Sequence, residues 1–262
     1  MADLSPADLA ALRRILLTDP IWAIYAIADL QPAFAPYCHW SVVDDERGAA
    51  ATLLFTALQP PILVMTGAQP ATGAALRAMS LPDTLFVSVR RQNFALVEAL
   101  YEFGDKVYPM VRMALPSGLA ITRPTVANLI RLTRHDSERI SALYQHGGPF
   151  TPDYFDPYQL DDGVFYGVED NAGALIAVGG THIITWTDKM AAIGNMYTHP
   201  EHRGQGHARA VLGAIIAELQ AQDITTIVLN VDERNDDARR IYERYGFTPH
   251  CTYIEAEGVR RR

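Results

Sequence analysis

Thr198-His199-Pro200-Glu201-His202-Arg203-Gly204-Gln205-Gly206-His207-Ala208-Arg209 joins an apolar run over residues 191–198 to an amphipathic segment over 206–220. That succession predicts a strand, a tight loop and a long helix. Gly204 and Gly206 carry no side chains, so successive backbone N–H groups can converge on an anion there, and the helix start adds a favourable dipole. Arg203 and Arg209 supply positive charge beside it. A Walker loop is excluded, because no Gly-Lys-Ser/Thr follows. A dinucleotide fingerprint requires a third small residue where Arg209 stands and belongs at the opening of a βαβ unit.

Downstream, a strand over 226–231 leads through Asn235 into a helix over 236–245 that carries Tyr242, and the chain resumes as a strand from Phe247. Upstream, strands are predicted over 126–132, 164–169 and 174–184, with helices over 136–145 and 153–158. The first half shows a similar succession. An N-terminal helix begins at Ser5 and is followed by a proline-broken stretch, then strands over 39–43, 50–58 and 62–65. A helix over 71–79, a strand over 85–89, a helix over 94–103 and a strand over 107–115 complete it. Pro116-Ser117-Gly118 is a turn signal, which places two domains at 1–118 and 121–262. Mixed α and β segments in this order imply an α/β fold with helices packed on a sheet in each domain. A short internal repeat supports the division. Val87-Ser88-Val89 aligns with Leu229-Asn230-Val231, Asn93 with Asn235, Phe103 with Tyr245 and Gly104 with Gly246, all without a gap.

Arg203, Gly206 and Ala208 resemble, in register, the pyrophosphate loop of the GNAT family of N-acetyltransferases, which reads Arg/Gln-x-x-Gly-x-Gly/Ala. The resemblance continues through Asn235 and Tyr242 and the closing Tyr245-Gly246-Phe247, and spans roughly residues 121–256. It implies two GNAT-like domains, each a mostly antiparallel sheet flanked by helices, with the first degenerate. It further implies a sheet whose two central strands splay, leaving backbone groups at Met196, Tyr197 and Thr198 to bond the pantetheine arm of acetyl-CoA. The diphosphate would rest on amides of Arg203, Gly204, Gln205, Gly206, His207, Ala208 and Arg209, with Asn235 bonding the pantetheine from the other side.

Acetyl transfer needs a neutral amine, a polarised thioester and a proton for the departing thiolate. Tyr242 matches the family tyrosine held to give that proton, and a phenol of ordinary pKa about 10 is protonated at neutral pH. Family members that acetylate protein N-termini often carry Glu five residues before the Asn, but this chain has Asn230 there. Tyr166, His182, Asp232 and Glu169 remain candidates for the base. In the first half the corresponding loop, Thr66-Gly67-Ala68-Gln69-Pro70-Ala71-Thr72-Gly73-Ala74, has no Arg, and Leu100 stands in place of Tyr242. One active site per chain is therefore expected.

The expected activity is transfer of an acetyl group from acetyl-CoA to a primary amine on a small molecule or peptide. The alternatives are an N-acyltransferase of the glycine-acyltransferase type using longer acyl-CoA, and a non-catalytic acyl-CoA sensor. Over 262 residues the net charge is −8, which disfavours nucleic acid and anionic membranes as partners. No apolar run has the length of a membrane span, and two cysteines fit a reducing compartment, so cytoplasm is the expected location. His199, His202 and His207 lack the ligand pairing of a metal site, and no metal is expected. No Ser or Cys lies in a nucleophile elbow, in keeping with direct transfer.

Overall fold

Ser5 and Asp8 cap the first helix reciprocally. The Ser5 hydroxyl accepts the Asp8 amide at 3.1 Å while the Asp8 carboxylate accepts the Ser5 amide at 3.3 Å. The computed structural model describes residues 5–152 and 154–262. By internal packing the chain divides into unit 1, residues up to Arg112 together with Pro249–Arg262, and unit 2, Met113–Thr248.

Unit 1 runs α1 (Pro6–Leu16), α2 (Pro20–Ala28), β1 (Cys38–Asp45), β2 (Gly48–Phe55), β3 (Ile62–Gly67), α3 (Ala71–Arg77), β4 (Thr84–Arg90), α4 (Arg91–Glu98) and the start of β5 (Tyr101–Leu115). The sequence reading passed over α2, which forms because Asp19 accepts the Trp22 amide at 3.1 Å ahead of an almost wholly buried apolar helix. Strands β1, β2 and β3 are antiparallel neighbours, and β3 pairs parallel with β4. Alternate residues Leu85, Val87 and Val89 of β4 are fully buried with Leu63, Met65, Val97 and Tyr101.

The helix expected over 94–103 stops at Glu98. Tyr101 is drawn into β5, where its ring is buried and its hydroxyl donates to the Pro82 carbonyl at 2.5 Å. Gly104 therefore lies inside a strand, whereas Gly246 follows a helix with φ +91°. The internal repeat holds over the strands β4 and β10 (Thr226–Asp232) but not beyond: Asn93 lies inside α4, whereas Asn235 precedes the helix α8 (Asp236–Arg244) as its N-cap, and the closing glycines differ.

Unit 2 runs β6 (Leu129–Arg131), α5 (Ser137–Tyr144), α6 (Gln159–Asp162), β7 (Tyr166–Glu169), β8 (Leu175–Thr185), β9 (Met190–Thr198), α7 (His207–Ala221), β10 (Thr226–Asp232) and α8 (Asp236–Arg244). The helix expected over 153–158 begins at Asp153, outside the described residues; 154–158 are not helical and α6 starts at Gln159. The strand order β6-β7-β8-β9-β10 is antiparallel except for the parallel β9–β10 pair. One face carries α7 through Val211, Leu212, Ile215, Ile216 and Leu219, all fully buried. A second cluster joins Ile140 and Leu143 of α5 and Leu160 of α6 to Phe165, Val178 and Tyr197.

The last strand, β11 (Thr248–Arg260), pairs antiparallel with β4, from Tyr253↔Arg90 to Val259↔Thr84. The C-terminal strand thus completes unit 1, although the sequence division groups it with the second half. Among the described residues no helix is long and apolar enough to cross a membrane.

Gly180 on β8 lies under the Phe165 ring, so close that an added Cβ would enter it. Phe165 is fully buried. Gly180→Ala is expected to lower stability by about 1–3 kcal/mol, the cost of overpacking a filled core. A urea midpoint within error of the wild type would show that Phe165 gives way freely.

Candidate active site

Strands β9 and β10 pair from Met190↔Thr226 to Ile193↔Leu229, and the register goes no further although both strands continue. The cause lies in β9. Asn195 adopts φ +55°, and opposite it the β8–β9 register shifts between Val178 and Gly180. A bulge at this point turns the end of β9 away from β10 and opens a fork whose β9 side is Met196, Tyr197 and Thr198. Because β9 and β10 are parallel, their following turns lie at the same end of the sheet. The fork opens toward both.

Three tethers hold the bulge. The Tyr144 hydroxyl donates to the Asn195 carbonyl at 2.9 Å, and the buried Asn195 amide donates to Gln159 Oε1 at 3.1 Å. The Tyr197 hydroxyl donates to the Gly147 carbonyl at 2.7 Å. On the α7 face Met196 lies over Gly179, where any Cβ would collide with its sulfur. Sequence reasoning missed Tyr144, Asn195 and Gln159. The run Gly194-Asn195, with two residue types tolerant of unusual backbone angles inside a strand, was the available signal.

Beyond Thr198, a turn of 3₁₀ helix at Pro200–His202 leads to Gly204 at φ +76° and Gly206 at φ +86°. A Cβ at either glycine would meet nothing within 4 Å, so the backbone angle is what calls for glycine there. Gly206 caps α7 without any side-chain acceptor. Among the described residues none of the N–H groups of 204–209 donates to a protein acceptor. A row of open amides at the start of a 15-residue helix has the geometry that can hold an anion. Arg203 braces it: its Nε donates to the Thr198 carbonyl at 3.2 Å, tying strand end to loop. The Arg209 side chain is exposed, and its carbonyl accepts the Tyr245 hydroxyl at 2.7 Å.

His207 Nε2 lies 3.3 Å from Gln205 Oε1. The His199 ring packs edge-on against His146 at 4.1 Å and His202 at 5.3 Å. Burial, then the neighbouring imidazoles, lower the His199 and His207 pKa values. Among the described residues no group of three or more His, Cys, Asp or Glu is arranged to hold a metal ion.

Asn235 is the N-cap of α8, its Oδ1 accepting the Ala238 amide at 3.1 Å. Two turns on, Tyr242 is 6% exposed and stands edge-on to Phe247. Burial pushes its pKa up to about 12, and among the described residues its hydroxyl has no protein partner. It is a protonated phenol throughout the physiological range.

Of the four candidate bases, three are engaged elsewhere. Tyr166 donates to Glu218 at 2.6 Å, Glu169 is paired with Arg139 at 2.5 Å, and Asp232 is held by Arg234 at 2.5 and 2.8 Å. Burial works to raise the Asp232 pKa, but the Arg234 bonds outweigh it and hold the carboxyl low. His182 shares a side-chain hydrogen bond with Asn195, and burial lowers its pKa to about 4. Its ring lies against Gly194, the first residue past the last β9–β10 pair.

Unit 1 contains the same fork, filled. β3 and β4 pair in parallel from Ile62↔Phe86 to Val64↔Ser88 and no further. The next carbonyl, that of Met65, accepts the indole N–H of Trp22 at 2.9 Å. Trp22 is 2% exposed, with the Arg112 guanidinium 4.8 Å and the Arg90 guanidinium 5.3 Å from its ring.

The sequence model of the acetyltransferase (GNAT) family matches residues 131–247, the part of unit 2 that carries the fork, the cradle and Tyr242. That segment is a domain of the GNAT family, a class of acyltransferases. Mycothiol acetyltransferase of Thermobispora bispora is 35% identical over 83 residues, which are 30% of this chain and 28% of that protein. The ribosomal protein bS18-alanine N-acetyltransferase of Haemophilus ducreyi is 37% identical over 57 residues, 22% of this chain and 39% of that protein. The chain thus spans 28% and 39% of the length of these curated relatives. In fold the likeness is wider. A tandem GNAT protein from the clavulanic acid biosynthesis pathway superposes with a TM-score of 0.60 at 15% identity, covering 96% of this chain and 93% of that one.

Asn235→Ala removes the cap of α8 and is expected to cost about 1 kcal/mol, read as a lower denaturation midpoint. Asn235→Asp keeps the acceptor and should restore most of that loss; equal destabilisation by both would show that capping is not what Asn235 contributes.

Proposed function

We propose that this chain transfers the acetyl group of acetyl-CoA directly to a primary amine, at a single site in unit 2. The observation that carries this is the fork after Ile193 and Leu229, which opens toward a helix N-terminus whose amides have no protein acceptor among the described residues. A pantetheine arm is an extended chain with amide groups, and it can pair with the open edge of β9 at Met196, Tyr197 and Thr198 as a partner strand does. The diphosphate then falls on the amides of 204–209, and the Asn235 amide nitrogen, unused by the cap, faces the arm.

Chemistry follows from this placement. The amine nitrogen attacks the thioester carbon, the N–C bond forms and the C–S bond breaks. The proton lost by nitrogen goes to solvent or a neighbouring acceptor, and the Tyr242 phenol protonates the departing thiolate and is reprotonated from solvent. Amine and thioester become amide and thiol. A hydroxyl that has no protein partner among the described residues, on an otherwise buried ring, suits this task and would have no purpose in a mere acyl-CoA sensor. Acetyl is the donor group adopted here, on the family's ordinary chemistry. Unit 1 keeps the scaffold of an acetyltransferase domain, but Trp22 takes the place of a pantetheine arm.

Titration calorimetry with acetyl-CoA is expected to give one site per chain, lost entirely in Gly206→Trp, whose indole would cover the open amides. A second site, or binding that survives this variant, would count against the single cradle. Tyr242→Phe should bind acetyl-CoA as the wild type does while kcat falls by about 10²-fold or more. Undiminished kcat would remove Tyr242 from the mechanism.

A further inference from the structure

Four histidines meet at the start of α7. The His146 ring, just past α5, stands edge-on to His199 with centroids 4.1 Å apart, and His199 stands edge-on to His202 at 5.3 Å. His207 is the first residue of α7, and the His202 ring is near enough to act on it electrostatically. A chain of imidazoles beside the positive end of a helix dipole resists charging, because each imidazolium is opposed by its neighbours and by the dipole. Burial, and then His202, lower the His207 pKa.

The rings are not equivalent. His199 caps the 3₁₀ turn Pro200–His202, its Nδ1 accepting the Glu201 amide at 3.2 Å. That bond uses the lone pair a proton would need, so His199 serves the turn only as a neutral ring. His207 keeps its contact when charged, since Nε2 lies 3.3 Å from Gln205 Oε1 and can donate to it in either state. Among the described residues His207 Nδ1 and both His202 nitrogens bond no protein atom. The charged groups acting on these rings are Glu201 and Arg203 on His199, and Asp170, in the turn between β7 and β8, on His202. Asp170 accepts the amides of Ala172 and Ala174, each at 2.9 Å.

We propose that His202 and His207 hold the diphosphate as imidazolium, so that the site takes up a proton when an acyl-CoA enters and releases it when the ligand leaves. This rests on the acetyl-CoA reading of the same loop and adds where the opposing charge comes from. Without ligand the rings stay neutral, for the reasons above. Two negative charges on the amides of 204–209 reverse the local field, and an opposite charge within about 4–6 Å favours the charged form of a titrating group by one to three pKa units. His199 takes no part, because its Nδ1 stays with the Glu201 amide. Linkage fixes the sign. A ligand that draws a proton onto the protein binds more tightly as pH falls. The gain is absent above the range in which the liganded imidazoles titrate, and it levels off at acid pH, where they are charged with or without ligand.

The 3′-phosphate of acetyl-CoA itself titrates at about pH 6, so the probe is acetyl-3′-dephospho-CoA, whose diphosphate keeps a constant charge over this range. Calorimetry on the full chain at pH 6.5, in two buffers of different ionisation enthalpy, is expected to show uptake of about half to one proton per ligand, and Kd at pH 6 should lie about five- to tenfold below Kd at pH 8.5. The double variant His202→Asn, His207→Asn should show no uptake and a Kd that does not move with pH. His199→Asn, which keeps an acceptor for the turn, should retain the uptake. Wild-type binding without proton uptake, uptake that survives the double variant, or uptake lost in His199→Asn overturns the proposal. If the double variant does not bind, the imidazole resonances of the wild type, assigned through the single variants, decide instead. Those of His202 and His207 must move toward the charged form when the probe is added at pH 6.5, and unmoved resonances overturn it equally. Failure of the wild type to bind acetyl-CoA at any pH overturns the underlying reading instead.

Discussion

Asn195 holds a left-handed backbone angle in the middle of a strand, a conformation that a straight ladder does not accommodate. Everything at the site depends on that residue. If β9 ran straight, its pairing with β10 would continue past Ile193 and the edge at Met196, Tyr197 and Thr198 would be spent on the neighbouring strand. The bulge is held by side chains far away in sequence, Tyr144 and Gln159, which come from the two helices packed on that face. Packing of α5 and α6 is thereby coupled to the width of the fork.

The two units show how little the topology decides by itself. Each has two helices, three antiparallel strands, a helix, a parallel strand and a helix in succession, and in each the parallel pair parts after three or four residue pairs. In unit 1 the Met65 carbonyl, past the last β3–β4 pair, is met by an indole from α2; in unit 2 the corresponding helix, α6, offers Gln159, which binds the bulge and leaves the β9 edge open. Sites are grafted on folds, and one aromatic side chain is enough to close one.

Charge tells a related story. A chain with a net charge of −8 can still attract a polyphosphate, because the attraction comes from oriented backbone amides and a helix dipole, which the total charge does not measure. Arginines near the loop do less than their proximity in sequence suggests. Arg203 spends its Nε on the Thr198 carbonyl, fixing where the strand ends, and the Arg209 carbonyl anchors Tyr245.

The loop from Arg203 to Arg209 and the helices on either side of Asn235 were legible in the amino-acid sequence, because glycine placement, helix caps and apolar spacing are local properties read within one or two turns. Legibility failed where distant segments compete. Helix 94–103 is cut short because β5 claims Tyr101, and α2 opens on Pro20, which marks its start and does not break it. The parting of β9 from β10, the engagement of Tyr166, Glu169 and Asp232 by partners, and the plugging of unit 1 by Trp22 were decided only in the tertiary structure. Each is a contact between residues tens of positions apart, and a pairing of that kind has no period or spacing by which a sequence can announce it.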